Sequence, residues 1–274
     1  MERFGDFHLI EKMTEKGPLV QFKASHPRQE KTLLLTIYQG FAPKEQMALR
    51  RKFEHLLGLS HPHLEPHIGH GMVGEVPYRV TSYLDGISLA QFLDSIKKRR
   101  VNLPMDNLFS IARALAKGLH ALHSHAKQDA SLQLTHGDIQ ARNVHIAPNG
   151  RVLLAGAGSW ENVGSADPME KIWDGAGLAA LIYQMLRATK FGDATPRLTP
   201  DFDDLLRVAL GIGNTDEMMS AKAFGTRLRE IAIRQHVYTT LDRFRDLALR
   251  TCRLVREEHD RELEAQELNA RRQE

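Results

Sequence analysis

His136-Gly137-Asp138-Ile139-Gln140-Ala141-Arg142-Asn143 is followed, thirteen residues after Asn143, by Gly156-Ala157-Gly158. Between the two segments, the runs Asn143 to Ile146 and Val152 to Leu154 flank Pro148-Asn149-Gly150, which predicts a short hairpin. Upstream, Leu89 to Lys98 and Leu108 to His123 place apolar residues at helical spacing. Downstream, Ile172 to Leu186 is nearly all apolar, the pattern of a buried helix.

The first eighty residues read differently. Phe7 to Met13, Leu19 to Ala24 and Thr32 to Tyr38 are apolar and β-branched runs separated by Gly17-Pro18 and His26-Pro27-Arg28, an antiparallel meander. A helix over Lys44 to Leu59 follows, carried by Met47, Leu49, Phe53, Leu56 and Leu57. Two more strands are expected at His67 to Val73 and Tyr78 to Tyr83.

Composition narrows the function classes. The 274 residues are 42% hydrophobic and 26% charged, enough to bury a full core. No apolar run is long enough for a membrane span and no signal peptide opens the chain, so a cytoplasmic protein is expected. The single cysteine, Cys252, leaves no internal disulfide. A net charge of +3 from 37 basic and 34 acidic residues makes no concentrated field, so nucleic acid is not an expected partner.

Over roughly the first 235 residues the chain resembles the eukaryotic-like Ser/Thr protein kinases, especially bacterial members. His136 to Asn143 resembles their catalytic loop, H-R-D-x-x-x-x-N, and Gly156 falls where they carry the aspartate of D-F-G. Glu11 to Ala24 resembles the nucleotide-loop hairpin, Leu59 to Leu64 the turn after the small-lobe helix, and Val80 to Leu89 the hinge. The resemblance implies an α+β, protein-kinase-like two-lobed fold. Residues 1–84 would be a small lobe of five antiparallel strands and one helix, 85–235 a mainly helical large lobe, and 236–274 a helical extension.

The same resemblance exposes losses. Kinases cover the ATP phosphates with a G-x-G-x-x-G backbone cradle. Here those positions are Thr14, Lys16 and Leu19, and Pro18 removes a donor. The phosphate-binding lysine is matched by Thr36, and its partner glutamate by Lys52. Glu54 lies two residues away, turned roughly 200° around the helix. Gly156 can bind no metal. Asp138 and Asn143 remain in their motif positions but cannot replace the lost carboxylate and lysine. Lys16 and Lys23 are the substitute cations to consider, each read first as a solvated hairpin lysine. Glu54, Asp85 and Glu161 are the candidate replacement carboxylates.

The segment after Gly158 agrees with these losses. Asp174 fits the aspartate that opens the buried large-lobe helix, and His136 the loop's structural histidine. Only fifteen residues separate Gly158 from that position, so the peptide platform is shortened. Asp167-Pro168-Met169-Glu170 is its remnant, and Asp216 to Ser220 lacks the arginine that would pair with Glu170. Gly137 gives the loop the look of small-molecule kinases, which also need the metal-binding aspartate.

His61, His63, His67 and His70 invite a zinc or nickel reading, although His61-Pro62 already belongs to the turn; no metal is assigned. His120, His123 and His125 read as packing at a core edge. From His236 on, Val237, Leu241, Phe244, Ala248, Thr251 and Val255, widened by Leu247 and Leu254, form an apolar stripe followed by a charged tail. That helix either packs on its own lobe or docks a protein partner or a second copy. The expectation is an inactive kinase-like scaffold or allosteric regulator, with no resident cofactor and at most weak, magnesium-independent ATP binding. The alternatives are an atypical ATP-dependent kinase, acting on protein or small molecule, and a metal-independent nucleotide sensor.

Overall fold

In the computed structural model of the protein, residues 2–125, 134–157, 170–188, 199–212, 219–237 and 241–271 are described. Alternating apolar residues build the first sheet. Its strands are β1 Arg3–Phe4, β2 Phe7–Lys16, β3 Leu19–His26, β4 Gln29–Tyr38, β5 His67–Val73 and β6 Val76–Ser82, in the order β1-β2-β3-β4-β6-β5. The five expected strands are present. The sixth, β1, is too short to have a period and pairs with β2 across the turn at Gly5, whose φ is +55°.

Strand period two gives this sheet two chemically different faces. One face buries Phe7, Leu9, Ala24, Leu33, Leu35, Ile37 and Val80, with Phe4, Phe22, Val76 and Tyr78 packed against them. On the opposite face Gln21, Thr36 and Arg79 stand in one cross-strand row. The helix α1, Pro43–Leu56, begins with proline in its first turn, and the Glu45 carboxylate accepts the Ala42 N–H at 2.8 Å. It buries Leu49, Lys52, Phe53 and Leu56. The helix stops three residues short of the expected Leu59 because Leu57 is extended and Gly58 takes φ +81°.

The remaining elements are α2 Leu89–Lys98, α3 Met105–His125, β7 Ile87–Ser88, β8 Val144–Ile146, β9 Val152–Leu154, α4 Glu170–Ala188, α5 Pro200–Ala209, α6 Ala221–Arg234 and α7 Leu241–Arg271. Strands β7, β8 and β9 make a small three-stranded sheet that contains the expected hairpin. Ser88 caps α2 by accepting the Gln91 N–H at 3.2 Å, and Gln91 reaches back to the Ser88 N–H at 2.9 Å.

The chain divides into two compact units: 1–84 with 117–138 and 154–174, and 85–116 with 139–153 and 175–274. Residues 236–274 belong to the second unit and do not stand as a third. There α7 uses its apolar stripe on its own unit: Phe244 meets Phe92 edge-on at 6.2 Å, and Ala248, Thr251 and Cys252 are buried. Arg99 pairs with Glu258 at 2.6 Å, and Arg256 pairs with Asp85. From His259 on, every residue whose side chain is described is exposed.

Candidate functional site

The first unit contains a buried polar knot that begins at β4. Thr36, 4% exposed, lies opposite Gln21 on one side and Arg79 on the other, and its hydroxyl accepts a hydrogen bond from the Gln21 amide at 3.2 Å. A neutral hydroxyl therefore occupies the position where the resemblance asks for lysine. The cation in this row is Arg79, on β6.

Arg79 is not free to meet a phosphate. One terminal nitrogen donates to Glu65 at 2.7 Å, and the other donates to the Ala157 carbonyl at 2.6 Å. The pair is almost fully dry, with side chains 7% and 5% exposed. The second Glu65 oxygen accepts the Thr81 hydroxyl at 3.0 Å, and Oε2 also accepts the Gly156 N–H at 3.2 Å. Backbone bonds hold Glu65 there, since its N–H donates to the Leu154 carbonyl at 3.0 Å while the Leu154 N–H donates to His63 at 2.9 Å. The charges thus cancel within one cluster, and that cluster grips the Gly156-Ala157 backbone from both sides.

Little space remains beside the pair. The cavity lined by Leu64, Glu65, His67, Arg79, Thr81 and Ala157, among others, measures about 10 Å³, the volume of one water at most. Burial, with Arg79 and His70 adding, pushes His67 down to about 3, so this ring stays neutral beside the guanidinium. Gly156 itself has φ +81°, a conformation glycine adopts without strain.

A second cluster anchors the loop at His136. Asp174 is 1% exposed and accepts the N–H groups of His136 at 2.7 Å and Gly137 at 2.9 Å, while His123 Nε2 lies 2.8 Å from its Oδ2. His136 Nδ1 accepts the Asp138 N–H at 3.2 Å, so the ring proton sits on Nε2 and donates to the Ala155 carbonyl at 2.8 Å. Burial lowers the His136 pKa against the opposing pull of Asp174. His123, expected to be packing only, is instead a partner of Asp174, a correction that needed three-dimensional proximity across 51 residues.

The other expected positions separate. Lys16 and Leu19 pair across the tight turn Gly17-Pro18, and Thr14 is exposed on the same hairpin. Lys52 is buried on α1. Asn143 ends a turn of 3-10 helix at Ala141–Asn143 in the second unit, its N–H on the Gln140 carbonyl at 2.9 Å. Lys23 lies 4.0 Å from Glu11 and over the Tyr83 ring. Of the candidate carboxylates, Glu54 pairs with Arg50 at 3.1 Å and Asp85 with Arg256. Gly158, Glu161, Asp167 to Met169 and Asp216 to Met218 lie outside the described residues.

His67 and His70 stack at 6.0 Å against Phe53, and His61 accepts the His63 N–H. Among the described residues no group of three His, Cys, Asp or Glu is placed to hold a metal ion. No helix there is long and apolar enough to cross a membrane.

Magnesium and ATP are the groups such a fold implies, and the residues present do not fit them. No carboxylate projects from Gly156, Thr36 carries no charge, and the nearby Arg79 and Glu65 are consumed by each other and by the backbone.

Neither Glu65 nor Arg79 lies in any of the kinase-like motifs of the sequence. The one readable signal is a cation at an inward position of a strand, between Tyr78 and Val80 in Val76 to Ser82.

Comparison with known proteins agrees with this fold. The family model "Protein tyrosine and serine/threonine kinase" matches residues 10–174. Serine/threonine-protein kinase 36 of Pongo abelii and of Mus musculus are each 27% identical over 154 residues, 56% of this chain and 11% of theirs. The chain thus spans about a tenth of the length of these curated relatives. Two structures of the Mycobacterium tuberculosis PknI kinase domain share the fold, with TM-scores of 0.65 and 0.62 at 18% and 20% identity, covering 84% of this chain and 97% and 96% of theirs. With the sheet, the His136 loop and the Asp174 anchor in place, the chain belongs to the protein tyrosine and serine/threonine kinase family.

Proposed function

We propose that this chain is an inactive member of its family, a pseudokinase that works by binding other proteins as a scaffold or allosteric regulator. The observation that carries the reading is the buried Glu65–Arg79 pair, bonded to the backbone of Gly156 and Ala157. Phosphoryl transfer needs a metal held against the phosphates and a cation that moves with the charge. Here glycine stands at the metal position, threonine at the lysine position, and the available guanidinium is neutralised by a carboxylate at 2.7 Å. Asp138 and Asn143 then serve the loop's architecture, together with His136 and Asp174.

A sensitive assay with labelled ATP, magnesium or manganese and a generic protein substrate is expected to give no transfer above the level of an Asp138→Ala variant. Metal-dependent transfer lost in that variant would overturn the reading and favour an atypical kinase. Thermal-shift titration with ATP is expected to give no magnesium-dependent shift, whereas a metal-independent shift would favour a nucleotide sensor.

A further inference from the structure

The turn that follows α1 carries His61 and His63, and α3 packs against it at Gly118. A Cβ at that glycine would stand 2.8 Å from the His63 carbonyl, so the helix comes this close only because it has no side chain there. The approach sets Lys117 and His120, neighbours on the exposed side of α3, beside the turn. All of these residues belong to the first unit.

The groups converge without an acidic partner. The rings of His61 and His63 lie 5.5 Å apart, and His61 Nδ1 accepts the His63 N–H at 3.2 Å, which leaves the His61 Nε2–H as its donor. His120 Nδ1 lies 3.2 Å from the Ser124 hydroxyl, and its Nε2 has no protein partner among the described residues. Lys117 is exposed and pairs with no carboxylate among the described residues. The charged groups that act on His61 are His63 on its own turn and Lys117 and His120 on α3, each a cation or able to become one. Of the other groups nearby, Glu65 is spent on Arg79, Glu54 on Arg50 and His123 on Asp174, and β9, which bonds the backbone of His63 and Glu65, brings no titratable side chain. Burial and these like charges hold the His61 pKa below the ordinary histidine value. A metal ion is a poor match, because the Lys117 ammonium would repel it and no three suitable ligands converge among the described residues.

We infer that His61, Lys117 and His120 together bind a phosphate group, and bind it more tightly as the two rings take up protons. Their N–H donors meet the terminal oxygens, and the phosphate's charge of nearly −2 supplies the counter-charge that the cluster lacks. The site uses none of Thr36, Asp138, Asn143 or Gly156, so it stands whether or not the chain transfers phosphate.

The test titrates the full chain with inorganic phosphate and, separately, with the peptide Ala-Gly-phosphoserine-Gly-Ala, following imidazole resonances by NMR with His61→Gln and His120→Gln as assignments. Both ligands should shift the His61 and His120 signals saturably, raise the pH midpoint of each ring and leave the exposed His259 unmoved. Sulfate, which stays dianionic, should bind about tenfold more tightly near pH 6 than near pH 8, reporting the rings rather than the ligand's own titration. Lys117→Ala should weaken binding about tenfold while Lys117→Arg keeps it, and the position is exposed, so circular dichroism melts should not change. Tighter binding of the peptide than of phosphate assigns the group to a phosphorylated side chain of a partner, and equal binding assigns it to free phosphate.

Shifts that never saturate or that appear equally at His259 would overturn the inference and leave an adventitious ion only. Sulfate binding independent of pH, or unchanged in Lys117→Ala, would overturn it as well. So would saturable zinc binding at His61 and His120 that phosphate does not oppose, since the cluster would then be a metal site.

Discussion

Arg79 is the residue around which the first unit's polar chemistry is arranged, and its energetics follow from burial. A charge this dry is tolerated because Glu65 and the Ala157 carbonyl take its two terminal nitrogens. Arg79→Met leaves the Glu65 carboxylate buried and unpaired, and chemical denaturation should register a loss of about 3–5 kcal/mol. Adding Glu65→Gln to that variant should recover part of the loss, which a double-mutant cycle measures. Protonation acts on the same neighbourhood. His67, near 3 when folded, and His136, also lowered, both resist charging in the native state, while the unfolded chain protonates near 6.5. The unfolded state therefore binds more protons below that value. Stability should be fully present above about pH 6.5 and fall as pH drops toward 3; in thermal melts across this range His67→Phe should flatten the slope.

At the scale of elements, α7 shows how one helix divides its work. Its first half is held by Phe244, Ala248, Thr251 and Cys252 against its own unit. Phe244→Ala should cost about 3–5 kcal/mol in denaturant titration, because the space left beside Phe92 cannot collapse. Truncation after Glu258 removes only residues beyond the packed half and should change stability by no more than about 0.5 kcal/mol. The periodicity of Leu241 to Val255 made the helix and its apolar side readable. It could not say what covered that side, since a stripe looks alike whether it meets α2 or another chain.

At the scale of the whole molecule, the proposed inactivity predicts that restoring single positions does not restore transfer. Thr36→Lys with Gly156→Asp restores the two missing family residues by type, yet the backbone at 156–157 stays held by Glu65 and Arg79. The double variant should remain without magnesium-dependent phosphoryl transfer, and measurable turnover would show that the ion pair is not the decisive lock.

By itself the sequence determined the kinase-like fold and most of its strands and helices, because hydrophobic period and motif spacing are local properties. His136, Asp138, Asn143 and Asp174 were legible in this way. The tertiary structure decided what surrounds Thr36 and Gly156. Glu65 and Arg79 are fourteen residues apart and meet Gly156 and Ala157, respectively, only after β6 and the β9 exit are assembled. No spacing rule encodes such a meeting, because desolvation and hydrogen-bond geometry exist only once the chain has folded.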